Sequence, residues 1–467
     1  MRRILLCLTL LAMVVAAPLS AQMTIKVQGV PAYFTPLLDN IHIAGSFNLW
    51  SPGAPSETLQ LQPDGSYAYT LNASPGQIVE YKFTRGDWAT VETQASGAFL
   101  PNRSFVYNPG QTIVDTIAMW EDMAGNHTVV GNTRILDLDF NLPQLGRNRR
   151  IWVYLPQDYF TGNADYPVLY LHDGQNLFDV AYTAFGTEWA IDESMEMLQD
   201  SGYPPAIIVG VDNGGLDRIN EYSPWVNLQY GGGEGDAYLD FLVNTLKPFI
   251  DGYFRTKPQR EHTALMGSSL GGLITLYGGL QRQDIFSRLG VFSPSFWFDD
   301  SCYTQASAQG RQQAMRIYLL AGGQESPTMV PNLVAMEDTL LAAGFPALEV
   351  RTVVQPDGQH SEWFWAREFP EAYKWLFQPI ATTLEPKLNL SPIQVALDPS
   401  QDSFFVVGRF HAPLPFAVDV YALDGKQVFS GMRKAGESIA TTGWARGVYV
   451  VDIRYGTRAA RQKILLR

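Results

Sequence analysis

From residue 23 to about 118, apolar and polar positions alternate in short runs such as "TIKVQGV", "NIHIAGSF", "YAYTLNA" and "VEYKFTRG", separated by Gly, Pro and Asn turns. A period of two turns one face of each run inward and the other outward, which predicts a small β-sandwich over residues 22–120. Between residues 131 and 380 the pattern changes to compact apolar runs: "YPVLYLHDGQ", "AIIVGVDN", "HTALMGSS", "LGVFSPS", "RIYLLAGG" and "LEVRTVVQ". Helical stretches lie between them, among them "EWAIDESMEMLQDSG", "DAYLDFLVNTLKPFIDGYF" and "NLVAMEDTLLAAG". Such alternation predicts a mainly parallel sheet with helices on both faces, and ligand sites at the carboxyl ends of its strands.

The two ends differ from this body. "MRRILLCLTLLAMVVAAPLSAQ" has a charged start, an apolar run short for a membrane span and a small-residue exit near Ala21, and residues 1–21 read as a secretory signal peptide. Pro379, Pro386, Pro392 and Pro399 interrupt periodicity, so residues 381–401 read as a linker. "FFVVGRF", "FAVDVYALDGKQVFSG" and "GVYVVDIRYGTRAARQKILLR" then predict a second small β-module over residues 402–467, with "DG" as a hairpin turn.

Composition narrows the possibilities. A chain of 467 residues, 46% hydrophobic and 17% charged, suits two to four packed domains rather than disorder. The net charge of −13 becomes more negative when Arg2 and Arg3 leave with the signal peptide, which disfavours nucleic acid and anionic membranes as partners. Cys7 lies in the signal and Cys302 is the other cysteine, so the mature protein forms no intramolecular disulfide. No other segment is apolar enough to span a bilayer.

The chemistry centres on "HTALMGSSLGGL", a strand, sharp turn and helix in which Gly267 and Gly271 frame Ser269. Ser268 lacks that frame. A serine hydroxyl needs a base, and of the six histidines His42, His127, His172, His262 and His411 are poorly placed along the chain. His360 in "QPDGQHSEWFW" follows a strand and precedes a helix. A carboxylate between serine and histidine should orient the imidazole: Glu325 after "YLLAGGQ" is preferred, with Asp338 behind it. For an oxyanion, the N–H of Leu270 and a donor at Gln175 in "HDGQN" are the candidates, with Gly174 allowing close approach. Trp297, Trp363 and Trp365 line or support the cleft, or pack in the core. No Cys/His cluster, H-E-x-x-H or phosphate-cradling loop is present, so no metal or nucleotide cofactor is expected. In the first module, Trp50, Trp88, Lys82 and Asn102 suit sugar binding, although both tryptophans could equally fill the sandwich core.

Three resemblances add to these readings. Residues 131–380 resemble the bacterial putative-esterase family of α/β-hydrolases through "YLHDGQNLFD", "VGVDN", "EYSPW", "MGSSLGGL", "SPSFWF" and "GQHSEWFW". The resemblance implies a serine esterase with Ser269 as nucleophile and His360 as base; the family's acid is often Asp in a "GxxD" turn, where this chain has Glu325 in "GGQE". The first module is similar to family 20 starch-binding domains through "GSFNLWSP", "YKF" and "NR", which implies α-glucan contacts from Trp50, Lys82, Trp88 and Asn102. The last resembles type IX secretion sorting domains through "VYALDGKQVFS" and "GWARGVYVVDI", which implies that machinery as a partner and a secreted or surface location. The expected architecture is thus an α/β hydrolase flanked by an N-terminal β-sandwich and a small C-terminal one. The expected activity is hydrolysis of an ester of an acylated carbohydrate. The alternatives are a siderophore lactone or other hydrolase substrate, or a catalytically inactive carbohydrate-binding surface protein.

Overall fold

The computed structural model describes residues 22–377 and, beyond them, 394–397, 403–407, 416–422, 426–434, 437–455 and 458–466. The signal-peptide segment and most of the residues read as a linker lie outside the described residues. The chain divides into two compact units, Met1–Gln378 and Pro379–Arg467.

The first unit opens with a four-stranded and a three-stranded sheet, a β-sandwich in which Met23–Gly29 pairs with Tyr67–Leu71 and with Thr112–Thr116, and Ile78–Thr84 pairs with His42–Gly45 and Arg103–Val106. Alternation is visible in the first strand, whose Met23, Ile25 and Val27 are fully buried. Trp120 fills the core beside them, its indole N–H donating to Thr35 Oγ1 at 2.9 Å.

An eight-stranded sheet follows, its strands numbered here β1 (Asn132–Leu142), β2 (Arg147–Leu155), β3 (Val168–His172), β4 (Ile207–Val211), β5 (Thr263–Ser268), β6 (Arg288–Phe292), β7 (Arg316–Gly322) and β8 (Val350–Gln355). Their spatial order is β1-β2-β4-β3-β5-β6-β7-β8, parallel from β4 onward and antiparallel at the β1 and β2 edge. Every residue of β3, β4, β5 and β6 is buried, the pattern of strands covered on both faces. Helices α1 (Ile191–Asp200) and α5 (Glu362–Leu376) cover one face. The other carries Gly235–Phe241, Lys247–Tyr253, α2 (Leu270–Gln281), α3 (Ser301–Gln309) and α4 (Met329–Ala342). Strand order reverses around β3, so the loops leaving β3 and β5 diverge from neighbouring strand ends and open a crevice between them.

The sandwich is not hung on a tether. Buried side chains run continuously from Ile25, Ile43 and Phe83 through Tyr33 and Trp152 to Leu169, Met266 and Tyr373. Leu37 and Leu38 donate backbone hydrogen bonds to Ile135 and Leu136 of β1 at 3.0 and 3.1 Å. Asp179, in the loop after β3, accepts from the Tyr33 hydroxyl at 2.5 Å and from the Thr128 N–H at 3.3 Å, and its Oδ2 lies 2.6 Å from His127 Nδ1.

In the second unit, Phe416–Ala422 pairs antiparallel with Gln427–Arg433 and Gly447–Tyr455, and Arg458–Leu466 closes the sheet. The "DG" turn itself lies outside the described residues. One correction concerns the linker: within 381–401, Gln394–Leu397 forms a strand paired with Ser403–Val407. It lies at the edge of a three-stranded sheet.

Candidate active site

Ser269 follows β5 and takes the N-cap position of α2 with φ 60° and ψ −123°, a positive-φ conformation rare for a side chain with a Cβ. Such backbone costs about 1–3 kcal/mol and persists where surroundings over-determine it. The glycine frame explains how the turn closes. A Cβ on Gly267 would stand 2.8 Å from His172 Cδ2 and 2.9 Å from the Gly271 carbonyl carbon; one on Gly271 would stand 3.3 Å from Asp173 Oδ2. Both serines line a cavity of about 590 Å³, Ser268 buried at the end of β5 and Ser269 half-buried.

His360 lines the same cavity, brought there by the loop between β8 and α5. Its Nδ1 lies 2.7 Å from Glu325 Oε2, and the Glu325 side chain is 1% exposed against 39% for His360. The other carboxylate oxygen, Oε1, accepts from Ser293 Oγ at 2.7 Å and from the Gly322 N–H at 2.5 Å. Ser293 itself adopts φ 43° and accepts from the Trp365 indole N–H at 2.8 Å, while the Trp365 ring meets the His360 ring edge-on at 5.1 Å. Sequence reasoning missed Ser293. Its signal was the phrase "FSPS" after β6, read as the end of a strand and as part of the "SPSFWF" family motif but not as a partner of the carboxylate.

Asp338, the second carboxylate candidate, is exposed on α4. A glutamate reaches one methylene further than an aspartate, and the donors from Gly322 and Ser293 fix that longer side chain. Ser269 Oγ rests 3.2 Å from Ser295 Oγ, with no hydrogen bond to His360 among the described residues. Catalytic hydrogen bonds commonly tighten only with substrate in place, and rotation about the serine side-chain bond redirects the hydroxyl.

Opposite the elbow, Asp173 has φ 59° and Gly174 begins a short 3₁₀ turn through Asn176. A Cβ on Gly174 would sit 2.8 Å from the Asp212 nitrogen, so glycine alone fits. Gln175 lines the cavity, its Oε1 accepting from the Asn213 N–H at 3.1 Å. Leu270 begins α2, and the first N–H groups of a helix have no partner inside it. Beneath lies a closed polar cluster. Arg218 donates to both Asp173 oxygens at 2.6 and 2.8 Å, and Asn213 adds a third bond at 2.6 Å. Burial works to raise the Asp173 pKa, but Arg218 and Asn213 outweigh it and hold the carboxyl below its usual range. His172 is fully enclosed, with Nδ1 2.9 Å from the Tyr238 hydroxyl, and burial pushes its pKa down to about 4.

Of the three tryptophans, Trp363 and Trp365 line the cavity and Trp297 does not; it is exposed and meets Tyr230 edge-on at 5.6 Å. Cys302 is buried, its thiol pushed up to about 12 by desolvation. Among the described residues no group of three or more His, Cys, Asp or Glu could hold a metal ion.

In the sandwich, Trp50, Lys82, Trp88 and Asn102 line a single groove of about 320 Å³ together with Phe99 and Leu100. The Trp50 and Trp88 rings lie 6.4 Å apart at 39°, and Trp88 is 40% exposed, so neither takes the core place that Trp120 fills. Lys82 is buried instead, its ammonium donating to the Leu100 carbonyl and lying 4.8 Å from the Phe99 ring. Glu92, the acid after Trp88, is taken up by Arg103 and the Phe83 N–H.

Comparison with known proteins places this geometry. The uncharacterized protein YbbA of Bacillus subtilis is 24% identical over 250 residues, 51% of this chain and 96% of that one. An α-amylase of Niallia circulans is 44% identical over 89 residues, 19% of this chain and 7% of the amylase. A siderophore triacetylfusarinine C esterase of Aspergillus fumigatus is 29% identical over 157 residues, 32% of this chain. The chain spans about half the length of that esterase, with 51% covered. Residues 143–376, half of the chain, match the family described as putative esterase. The protein belongs to that family.

Proposed function

We propose that the protein is a serine carboxylesterase acting through an acyl-enzyme on Ser269, with an acylated carbohydrate as substrate. The observation that carries this reading is the cavity shared by Ser269 and His360, with Glu325 Oε2 held 2.7 Å from His360 Nδ1. Glu325 keeps the proton on Nδ1 and leaves Nε2 free to accept the serine proton. Ser269 Oγ attacks the ester carbonyl, and the Leu270 and Gln175 N–H groups stabilise the oxyanion. His360 then protonates the leaving alcohol, and water activated by the same imidazole releases the acid. The carbohydrate half rests on the aromatic groove at Trp50 and Trp88 and on the 89-residue likeness to an α-amylase. Export to the cell surface rests on the amino-terminal segment and the carboxyl-terminal β-module; among the described residues no helix is long and apolar enough to cross a membrane. A siderophore lactone is the second reading, favoured by the Aspergillus fumigatus relative.

Hydrolysis of p-nitrophenyl acetate by the wild type and by Ser269→Ala tests the mechanism, with fluorophosphonate labelling as a second readout. Equal rates and equal labelling would remove it. An acetylated oligosaccharide and a siderophore trilactone, compared at equal concentration, separate the two substrate readings.

A further inference from the structure

The cavity beside Ser269 contains a carboxyl group that the acyl-transfer steps do not use. Glu362 opens α5 and lines the cavity with Ser269 and His360, yet it is only 8% exposed. Among the described residues none other donates a hydrogen bond to it; its own backbone N–H is its partner. Burial raises its pKa, Asp173 adds to the rise, and His360 and Arg218 oppose it. The other carboxylates of the site are occupied: Asp173 by Arg218 and Asn213, Glu325 by Ser293, Gly322 and His360. A carboxylate accepts several hydrogen bonds, so one held only by its own N–H keeps acceptor capacity for a ligand that brings a donor.

Two ring faces accompany it. Phe185 and Trp363 line the same cavity while 71% and 40% exposed. A carboxyl acceptor beside open ring faces complements a polyhydroxylated ring, whose C–H face stacks while its hydroxyls donate. The side of the cavity is also informative. Glu362 follows His360 by two residues, and His360 is the group that hands its proton to the leaving oxygen. Glu362 lies within electrostatic reach of that imidazole, and in the acyl-transfer reading the half of the ester nearest the imidazole is the leaving alcohol. With Arg218 already neutralised by Asp173, the remaining charge on that side is negative, which repels an anionic alcohol.

We propose that Glu362 accepts a hydrogen bond from a hydroxyl of the alcohol half, with Trp363 as the stacking face, so that the cavity selects neutral polyhydroxylated alcohols over alkyl and anionic ones. This inference rests on the esterase reading above.

The test uses the full-length mature chain and three acetate esters: 6-O-acetyl methyl glucoside, ethyl acetate and an acetylated methyl glucuronate. The readout is the ratio of kcat/KM between the neutral sugar ester and ethyl acetate. Glu362→Gln lowers that ratio about threefold and Glu362→Ala about tenfold, the loss of one hydrogen bond to a charged group. Both variants also narrow the gap between the neutral and the glucuronate ester. A ratio that stays within about twofold of wild type in both variants overturns the assignment, as does an equal loss on all three esters, which would mark a role in catalysis or folding. A readout without variants guards against misfolding. Methyl glucoside competes with p-nitrophenyl acetate in the wild type and cyclohexylmethanol at the same concentration does not; equal competition overturns the assignment. An active wild type with an unaltered ratio removes the role of Glu362 alone, whereas a wild type inactive on every ester removes the esterase reading and this inference with it.

Discussion

The cavity around Ser269 and the groove around Trp50 and Trp88 are built on opposite principles. Around Ser269 the groups that hold His360 are tied together: Glu325 is bound through both oxygens, Ser293 links it to Trp365, and the elbow adopts a backbone only its neighbours enforce. The groove instead leaves aromatic faces open, with Lys82 turned to Leu100 and Glu92 to Arg103. Proton transfer requires angular precision, which a closed hydrogen-bond network supplies. Binding a sugar, were the groove to do it, would call for contact area, which rings supply without a unique geometry.

Perturbing each region sharpens this contrast. His360→Ala or Ser269→Ala is expected to lower p-nitrophenyl acetate hydrolysis by about 10⁴-fold or more. Loss of less than about tenfold, from either variant, would show that the closed network is not the reacting one. Ser293→Ala removes a donor from Glu325 and an acceptor from Trp365, and its expected effect is a fall of about 10- to 100-fold in kcat at constant KM. A rise in KM alone would place Ser293 in substrate binding instead.

His172 tests the foundation under the elbow through pH. Its pKa is depressed from 6.5 to about 4, so the unfolded chain binds a proton before the native protein does. Stability from this group is complete above pH 6.5 and is lost as pH falls toward 4. The expected loss is about 2 kcal/mol between pH 7 and pH 5, read by urea unfolding. His172→Asn, which still reaches toward Tyr238, should flatten that slope; an unchanged slope assigns it to other groups.

In the groove, Trp50→Ala or Trp88→Ala is expected to weaken binding to soluble starch about tenfold, measured by affinity electrophoresis. Equal retardation of wild type and both variants would deny the groove its role. The smallest effect is expected where the two regions meet. Tyr33→Phe removes one hydrogen bond to Asp179 and should cost about 1–2 kcal/mol, a drop of a few degrees in the thermal midpoint. Because the Asp179 loop carries Gln175 and Trp189 to the cavity wall, KM for a small ester should rise with it.

Much of this was legible in one dimension because the signals are local. Burial on both faces leaves a run such as "AIIVGV" apolar throughout, and a strained turn leaves glycines around a serine. Glu325 and His360 could be named because a loop after a parallel strand has one place to go, the carboxyl edge of the sheet. The strand Gln394–Leu397 escaped notice because four residues between prolines carry almost no periodicity.

Local periodicity and turn chemistry were enough to specify the sheet, the elbow and the candidate proton pathway, since each depends on residues adjacent in the chain or on strand order. Only the folded chain could set Glu325 rather than Asp338 beside His360, join Ser293 to Trp365 across 72 residues, and merge the sandwich with the eight-stranded sheet through Asp179. These contacts depend on distances between separate segments, and the alternation of polar and apolar positions within one segment carries no record of what lies opposite it.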